Sequence, residues 1–161
     1  MTYGKDSPRI ELRGKLDSLN AAIIMLQADS DSQSFIDDLE SIRAVVNRIQ
    51  RCEACGKIFE GGFTVRGIDS EELYERSHNP AKYYGLGHIL PHHEMERKSA
   101  MMNFLRTIVR ETELCAVKVF GANDNLNICH TLNRLSSAVY TLIYEYLPEG
   151  YSRTINFGSS E

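Results

Sequence analysis

Apolar residues in this chain recur at alternating steps of three and four, in four separate stretches. The first runs Leu12, Leu16, Leu19, Ile23 and Leu26, and the second Phe35, Leu39, Ile42, Val46 and Ile49. The third runs Met101, Leu105, Ile108, Thr112, Cys115 and Val119, and the fourth Ile128, Leu132, Leu135, Val139, Leu142 and Tyr146. A stripe with that spacing lies along one face of a helix and has to be covered by other helices. No stretch alternates with period two for long enough to argue a sheet. The spacing predicts an all-α fold, an antiparallel four-helix bundle of ferritin-like form with a long crossover between its second and third helices.

The punctuation agrees. Ser7 caps the first helix and Pro8 suits its first turn; Ser34 and Asp37 open the second. Gly121 stops the third, and the fourth starts after Asn123–Asp124 and ends at Pro148. Short polar turns, Asp29–Gln33 and Gly121–Asp124, join neighbours, whereas about 40 residues separate the second helix from the third. That crossover, Arg51 to His92, holds Gly56, Gly61, Gly62, Gly67, Gly85 and Gly87. Within it only Ser70–Ser77, capped by Asp69 with Glu72 three residues later, reads as helix. So long a connection points to function. The tail from Glu149 is polar and is expected to fray. No repeat interrupts the chain, and residues 1–161 read as a single domain.

Composition narrows the function classes. With 42% hydrophobic and 25% charged residues and only 4 Pro, disorder and fibrous structure are excluded. The net charge of −4, from 18 Lys+Arg against 22 Asp+Glu, disfavours a nucleic-acid partner. The longest apolar run is Ala21–Leu26, far short of a membrane span, and the sequence does not open as a signal peptide. A cytoplasmic protein without a membrane partner is expected, in which Cys52, Cys55, Cys115 and Cys129 are thiols or metal ligands rather than disulfides.

Polar residues opposite the stripes also keep helical spacing. Asn103, Arg106, Arg110 and Glu113 share one face of the third helix; Asn133, Ser136 or Ser137, and Tyr140 share one of the fourth; Arg13, Asp17 and Asn20 line up on the first. Two arginines so placed can grip a polyanion such as triphosphate through paired hydrogen bonds. The same spacing also suits a solvated face with ion pairs along it, or an Asp17–Arg106 pair between helices. Cys52-Glu-Ala-Cys55 has the geometry of half a zinc knuckle, which His78, His88, His92 or His93 would have to complete; otherwise it is two reduced thiols. No Walker or GxGxxG phosphate loop exists, so helix side chains would have to hold any nucleotide.

These residues carry a resemblance. His88-Ile-Leu-Pro91, Asn103-Phe-Leu-Arg106-Thr107-Ile-Val-Arg110-Glu-Thr-Glu113 and Leu132-Asn133-Arg134-Leu135-Ser136 are similar to the helix-bundle ATP:cob(I)alamin adenosyltransferases. Gly14-Lys-Leu-Asp17-Ser-Leu-Asn20 matches that family's first-helix segment, and Ser77-His78-x-Pro80 brings the chain nearest to the ethanolamine-utilisation (EutT) type. The resemblance covers roughly residues 6–147. It implies a homotrimer with ATP, Mg²⁺ and cobalamin bound between subunits. The activity it implies is transfer of the 5′-deoxyadenosyl group from ATP to cob(I)alamin, giving adenosylcobalamin and triphosphate.

By the same resemblance, Arg110 and Glu113 are the catalytic residues and, with Asn133, bind ATP. Asp17 and Arg106 form a salt bridge between subunits, and His88 faces the corrinoid. Cys52 and Cys55 are candidate Zn or Fe ligands. Beyond its substrates, the implied partners are a flavoprotein reductant or a cobalamin-dependent lyase, with association with a bacterial microcompartment. The chain departs from the PduO type in two ways. Its sequence starts a few residues before the first helix, so the Gly/Thr-rich segment that wraps the triphosphate is expected to be missing, and Glu111 and Leu114 replace arginines. The extra N-terminal region and metal motif of long EutT proteins are likewise expected to be missing. Those departures suit an alternative, a non-catalytic corrinoid- or nucleotide-binding carrier or sensor on the same bundle.

Overall fold

Each apolar stripe emerges as a long helix. In a computed structural model, which describes residues 3–155, the stripes lie on α1 (Pro8–Ala28), α2 (Gln33–Cys55), α5 (Glu96–Phe120) and α6 (Ile128–Glu145). Between α2 and α5 come β1 (Thr64–Val65), β2 (Ile68–Asp69), α3 (Ser70–His78), α4 (Pro80–Tyr84) and a short 3-10 turn, His93–Met95. α5 packs against both α1 and α6, α1 against α2, and α6 against α2, with α3 laid along α6. Leu12, Leu19, Ile23, Phe35, Leu39, Ile42, Leu105, Leu132 and Leu135 are completely buried where these faces meet, as a 3.6-residue period requires.

Most helix ends follow their local chemistry. The Ser7 hydroxyl accepts from Arg9 N–H, and the Asp69 carboxylate accepts from Glu72 N–H at 2.9 Å. The second helix is a correction. Its cap is Ser32, whose hydroxyl accepts from Phe35 N–H, while Ser34 Oγ lies 3.1 Å from Tyr146 Oη. α2 also runs past Ile49 to Cys55, where Gly56 closes it at φ 65°. Glu53, 3% exposed, explains the extension: on the last turn of α2 it pairs with Arg9 and Arg13 of α1.

A second correction is the small sheet. β1 and β2 pair antiparallel with Thr64 opposite Asp69 and Val65 opposite Ile68, so the fold is mostly helical rather than all-α. The connecting residues Arg66 and Gly67 have φ of 55° and 75°, the left-handed backbone that a two-residue hairpin turn demands. Arg66 is held there by Asp38 of α2, whose Oδ2 lies 2.8 Å from Nη2. That hydrogen bond pushes the Arg66 pKa above its ordinary value against the opposing effect of burial.

The tail is a third correction. Residues 151–155 do not fray but run back along the segment before α5. Ile155 N–H donates to His88 O at 2.7 Å and Leu90 N–H to Arg153 O at 3.0 Å. Arg153 also pairs with Glu94 at 3.2 Å. The expectation of fraying for residues 156–161 lies outside the described residues.

Candidate functional site

Where α5, α6, the loop before α5 and the returning tail meet, they leave a cavity of about 410 Å³. Asn103, Arg106 and Arg110 project into it from α5, Ser136, Ser137 and Tyr140 from α6, and His88 and Pro91 from the loop. Helical spacing accounts for the first two sets, because residues three and four apart share a face. The structure therefore puts Arg106 and Arg110 on one cavity wall, as their spacing suggested, and brings His88, placed with them only by the resemblance, into the same cavity. Ile155, Ser77 and His78 complete the wall. Ile155 carries no local signal of such a role, whereas Ser77-His78 was visible only through the resemblance.

The cavity is electropositive on its α5 side. Arg106 is half-buried, and its guanidinium donates to Asn103 Oδ1 at 3.2 Å. Among the described residues neither Arg106 nor Arg110 has a carboxylate partner. Burial first, and the neighbouring charge of Arg110 second, push the Arg106 pKa down from its ordinary value. A guanidinium still stays charged, so the pair presents uncompensated positive charge to whatever enters.

Glu113 and Asn133 stand next to this cavity rather than in its wall, on the seam between α5 and α6. Asn133 Nδ2 donates to Glu113 Oε1 at 3.5 Å. Glu113 Oε2 is buried without a hydrogen-bond partner among the described residues, a costly state for a carboxylate oxygen. On the opposite wall His88 Nδ1 lies 3.0 Å from Tyr140 Oη, and Tyr140 Oη lies 3.0 Å from Tyr144 Oη.

A sequence model of the cobalamin adenosyltransferases matches residues 2–146. The chain belongs to the cobalamin adenosyltransferase family. Corrinoid adenosyltransferase EutT of Escherichia coli (strain K12) is 35% identical over 143 aligned positions, and the match covers 86% of this chain and 53% of that protein. EutT of Salmonella typhimurium (strain LT2) is 34% identical over the same shares. The chain thus spans about half the length of the curated relatives it matches. Among solved structures it is similar to a variant PduO-type ATP:corrinoid adenosyltransferase from Lactobacillus reuteri, complexed with cobalamin and ATP. That likeness has a TM-score of 0.67 and 21% identity over 91% of this chain and 86% of the other. A second variant of the same protein gives a TM-score of 0.67 and 20% identity, over 95% and 90%. These structures establish the fold.

The other residues expected from the sequence lie elsewhere in this family member. The polar line on α1 divides: Arg13 is tied to Glu53 at 2.9 Å and Asn20 to Asn47 at 3.0 Å, both of α2, while Asp17 is exposed. Among the described residues Asp17 and Arg106 make no pair within the chain. Cys52 packs against the core and Cys55 is exposed on the last turn of α2. No group of three or more His, Cys, Asp or Glu side chains that could hold a metal ion occurs among the described residues. Among the described residues these two cysteines therefore lack the further ligands that a tetrahedral zinc or iron site needs, and no step is routed through such a site.

A larger hollow of about 850 Å³ lies between α2, the hairpin and the start of α6. Its two arginines are already engaged, Arg134 by an ion pair with Glu71 at 2.9 Å and Arg48 by hydrogen bonds to the Glu60 and Gly62 carbonyls. No helix of the described residues is long and apolar enough to cross a membrane.

Proposed function

We propose that the cavity under Arg106 and Arg110 is an adenosyl-transfer site, at which the 5′-deoxyadenosyl group of ATP passes to cob(I)alamin. Cobalt(I) supplies the electron pair that forms the Co–C5′ bond. The C5′–O bond breaks, and its electrons leave with triphosphate. The observation that carries this reading is the pair of arginines without carboxylate partners on the cavity wall of a family member. Uncompensated guanidinium groups suit a polyphosphate, which gains charge as the bond breaks. The curated relatives are named corrinoid adenosyltransferases, and the Lactobacillus reuteri protein is complexed with cobalamin and ATP.

In this reading Arg110 and Asn133 hold ATP, and Glu113 Oε2 accepts a hydrogen bond from the nucleotide. His88 and Tyr140 meet the corrinoid. Mg²⁺ enters with ATP as part of the substrate. The protein supplies position, exclusion of water and charge for the leaving group, while the chemistry is that of the corrinoid.

A cavity of about 410 Å³ is at the small end for one ligand and too small for a corrinoid and a nucleotide together. We therefore read the site as completed by a neighbouring copy in a homotrimer, with Asp17 of one subunit reaching Arg106 of the next. Exposed Ile24, Met25, Phe104 and Leu114 on α1 and α5, which pack side by side, give such an interface apolar surface. The same reading takes α1, α2, α5 and α6 as an antiparallel bundle in a single domain, working in the cytoplasm for ethanolamine utilisation.

The test is anaerobic. Purified protein mixed with MgATP and chemically reduced cob(I)alamin yields a photolabile adenosylcobalamin spectrum that scales with protein and needs ATP. A sample that binds cobalamin or ATP yet forms no product would make the chain a carrier or sensor instead.

A further inference from the structure

Tyr144 closes a hydrogen-bond count that determines how His88 carries its proton. The Tyr144 hydroxyl has one hydrogen and two lone pairs. It donates to Gly87 O at 2.8 Å, and a carbonyl oxygen can only accept. It accepts from Ile89 N–H at 3.1 Å. Its remaining place is an acceptor position, and Tyr140 Oη sits there at 3.0 Å. Tyr140 must therefore spend its only hydrogen on Tyr144. Toward His88 Nδ1, 3.0 Å away, Tyr140 is left with lone pairs alone. The hydrogen between them then belongs to His88.

We propose that Tyr140, with its polarity fixed by Tyr144, is a positioning residue that holds neutral His88 in the Nδ1–H form and makes Nε2 the basic atom of the ring. This rests on the adenosyl-transfer reading only for its consequence: the ring then meets a corrinoid as a hydrogen-bond acceptor at Nε2, toward ligand N–H groups such as carboxamides. The anchor is built to hold. Tyr144 is buried and stacks on Tyr84 with ring centroids 5.1 Å apart. Burial pushes its phenol pKa well above the ordinary value, so the Tyr144 hydrogen stays in place. Both backbone partners of Tyr144 flank His88, so the same hydroxyl sets the loop's position and the ring's proton. The ring and Tyr140 lie 6.0 Å apart between centroids, near enough to share one wall of the cavity.

The test reads the proton directly. In protein labelled with ¹⁵N-histidine, long-range ¹H–¹⁵N correlation spectra assign the tautomer of each neutral ring, and His88 is identified by the signals lost in His88→Gln. The expected spectrum shows a protonated Nδ1 and a bare Nε2 for His88. A protonated Nε2 with bare Nδ1 in the wild-type protein overturns the proposal, whatever the variants do.

Tyr144→Phe frees the Tyr140 hydrogen to point at Nδ1, so His88 should switch toward the Nε2–H form. Tyr140→Phe removes the bias that the tyrosine pair imposes. Should either variant fail to fold, the wild-type spectrum still decides. An Nδ1–H ring that survives both substitutions in folded protein shows that the tyrosines do not set it, which also overturns the proposal. In turnover, Tyr140→Phe should raise the cob(I)alamin KM about 2- to 10-fold, the value of one neutral hydrogen bond, and leave the ATP KM within about twofold. The spectrum needs neither substrate, so a missing product in the anaerobic assay bears on the adenosyl-transfer reading and a wrong tautomer bears on this one.

Discussion

Arg134 Nη1 donates to Asn133 Oδ1 at 2.8 Å, and this fixes which way the Asn133 amide faces. With the oxygen engaged, the NH₂ group turns to Glu113 Oε1 on α5. Arg134 is itself braced by Glu71 of α3 at 2.9 Å and by the Tyr74 ring at 3.7 Å. The crossover helix thus reaches Asn133 and Glu113, the residues proposed to meet ATP, through one side chain. Replacing Arg134 by Met keeps much of its bulk but frees the amide to flip. The ATP KM should rise about 3- to 10-fold, in line with the loss of one neutral hydrogen bond, with the cob(I)alamin KM unchanged. Equal KM values for ATP in the two proteins would detach Arg134 from the site.

Arg110→Ala tests the polyphosphate grip. Arg110 is exposed and has no ion pair among the described residues. Its loss should shift stability by no more than about 0.5 kcal/mol. A charge-assisted hydrogen bond contributes about 1.5–3 kcal/mol, so kcat/KM for ATP should fall about 10- to 100-fold. Thermal unfolding with and without MgATP gives a second reading: ATP should raise the Tm of wild type and raise that of the variant less.

The trimer proposal turns on Asp17. Within its own chain Arg106 touches only the Asn103 amide oxygen among its described hydrogen bonds, and its half-burial makes an unpaired charge costly. Asp17→Asn removes the partner assigned to it from the neighbouring copy. Light scattering should then show a smaller assembly, or the ATP KM should rise with the assembly intact. If mass and kinetics are both those of wild type, the pairing is wrong.

The buried stripes could be read from the sequence because each rests on local spacing. Leu12 to Leu26 and Ile128 to Leu142 are core residues as their period requires. The polar faces of α5 and α6 were equally legible, since Arg106, Arg110 and Tyr140 meet at the cavity by the same arithmetic. What escaped depends on contacts distant along the chain. The strands of the hairpin are too short to show an alternation, and its turn puts Arg66 in a backbone region that Asp38, 28 residues earlier, helps to hold. Ser34 and Ser32 are equally good caps by residue type, and Tyr146 decides between them by occupying Ser34. Arg13 looked like part of a site face until Glu53, 40 residues away, claimed it.

The cysteines give a prediction about metal and reactivity together. Burial, followed by Asp124 and Glu113, pushes the Cys129 thiol up to about 11. Burial and then Glu11 push Cys115 upward as well. The thiolate is the reactive form, so at pH 8 only about one Cys129 in a thousand is available. Cys55 is exposed at the end of α2. Iodoacetamide should therefore label Cys55 first and Cys129 and Cys115 last, as peptide mass spectrometry would show. Added zinc should not protect Cys55, because among the described residues no third or fourth ligand joins Cys52 and Cys55. Protection at stoichiometric zinc would revive a metal site there.

The returning tail predicts its own requirement. Ile155 donates to His88 O and lines the cavity, while Arg153 accepts from Leu90 and pairs with Glu94. Tyr151 Oη donates to Leu90 O at 2.5 Å. These contacts hold the backbone of the loop that carries His88. Each of these four contacts is worth about 1 kcal/mol or less, so ending the chain after Gly150 should lower Tm by no more than about 15 °C and leave a folded protein. The loss should fall on the corrinoid, whose KM rises several-fold while the ATP KM holds, because these contacts of residues 151–155 go to the segment around His88 and not to Arg110, Glu113 or Asn133. Hydrogen exchange at Ile89 and Leu90 amides would report the cause, accelerating in the truncated protein. Unchanged exchange together with an unchanged corrinoid KM would show that α6 alone positions the loop.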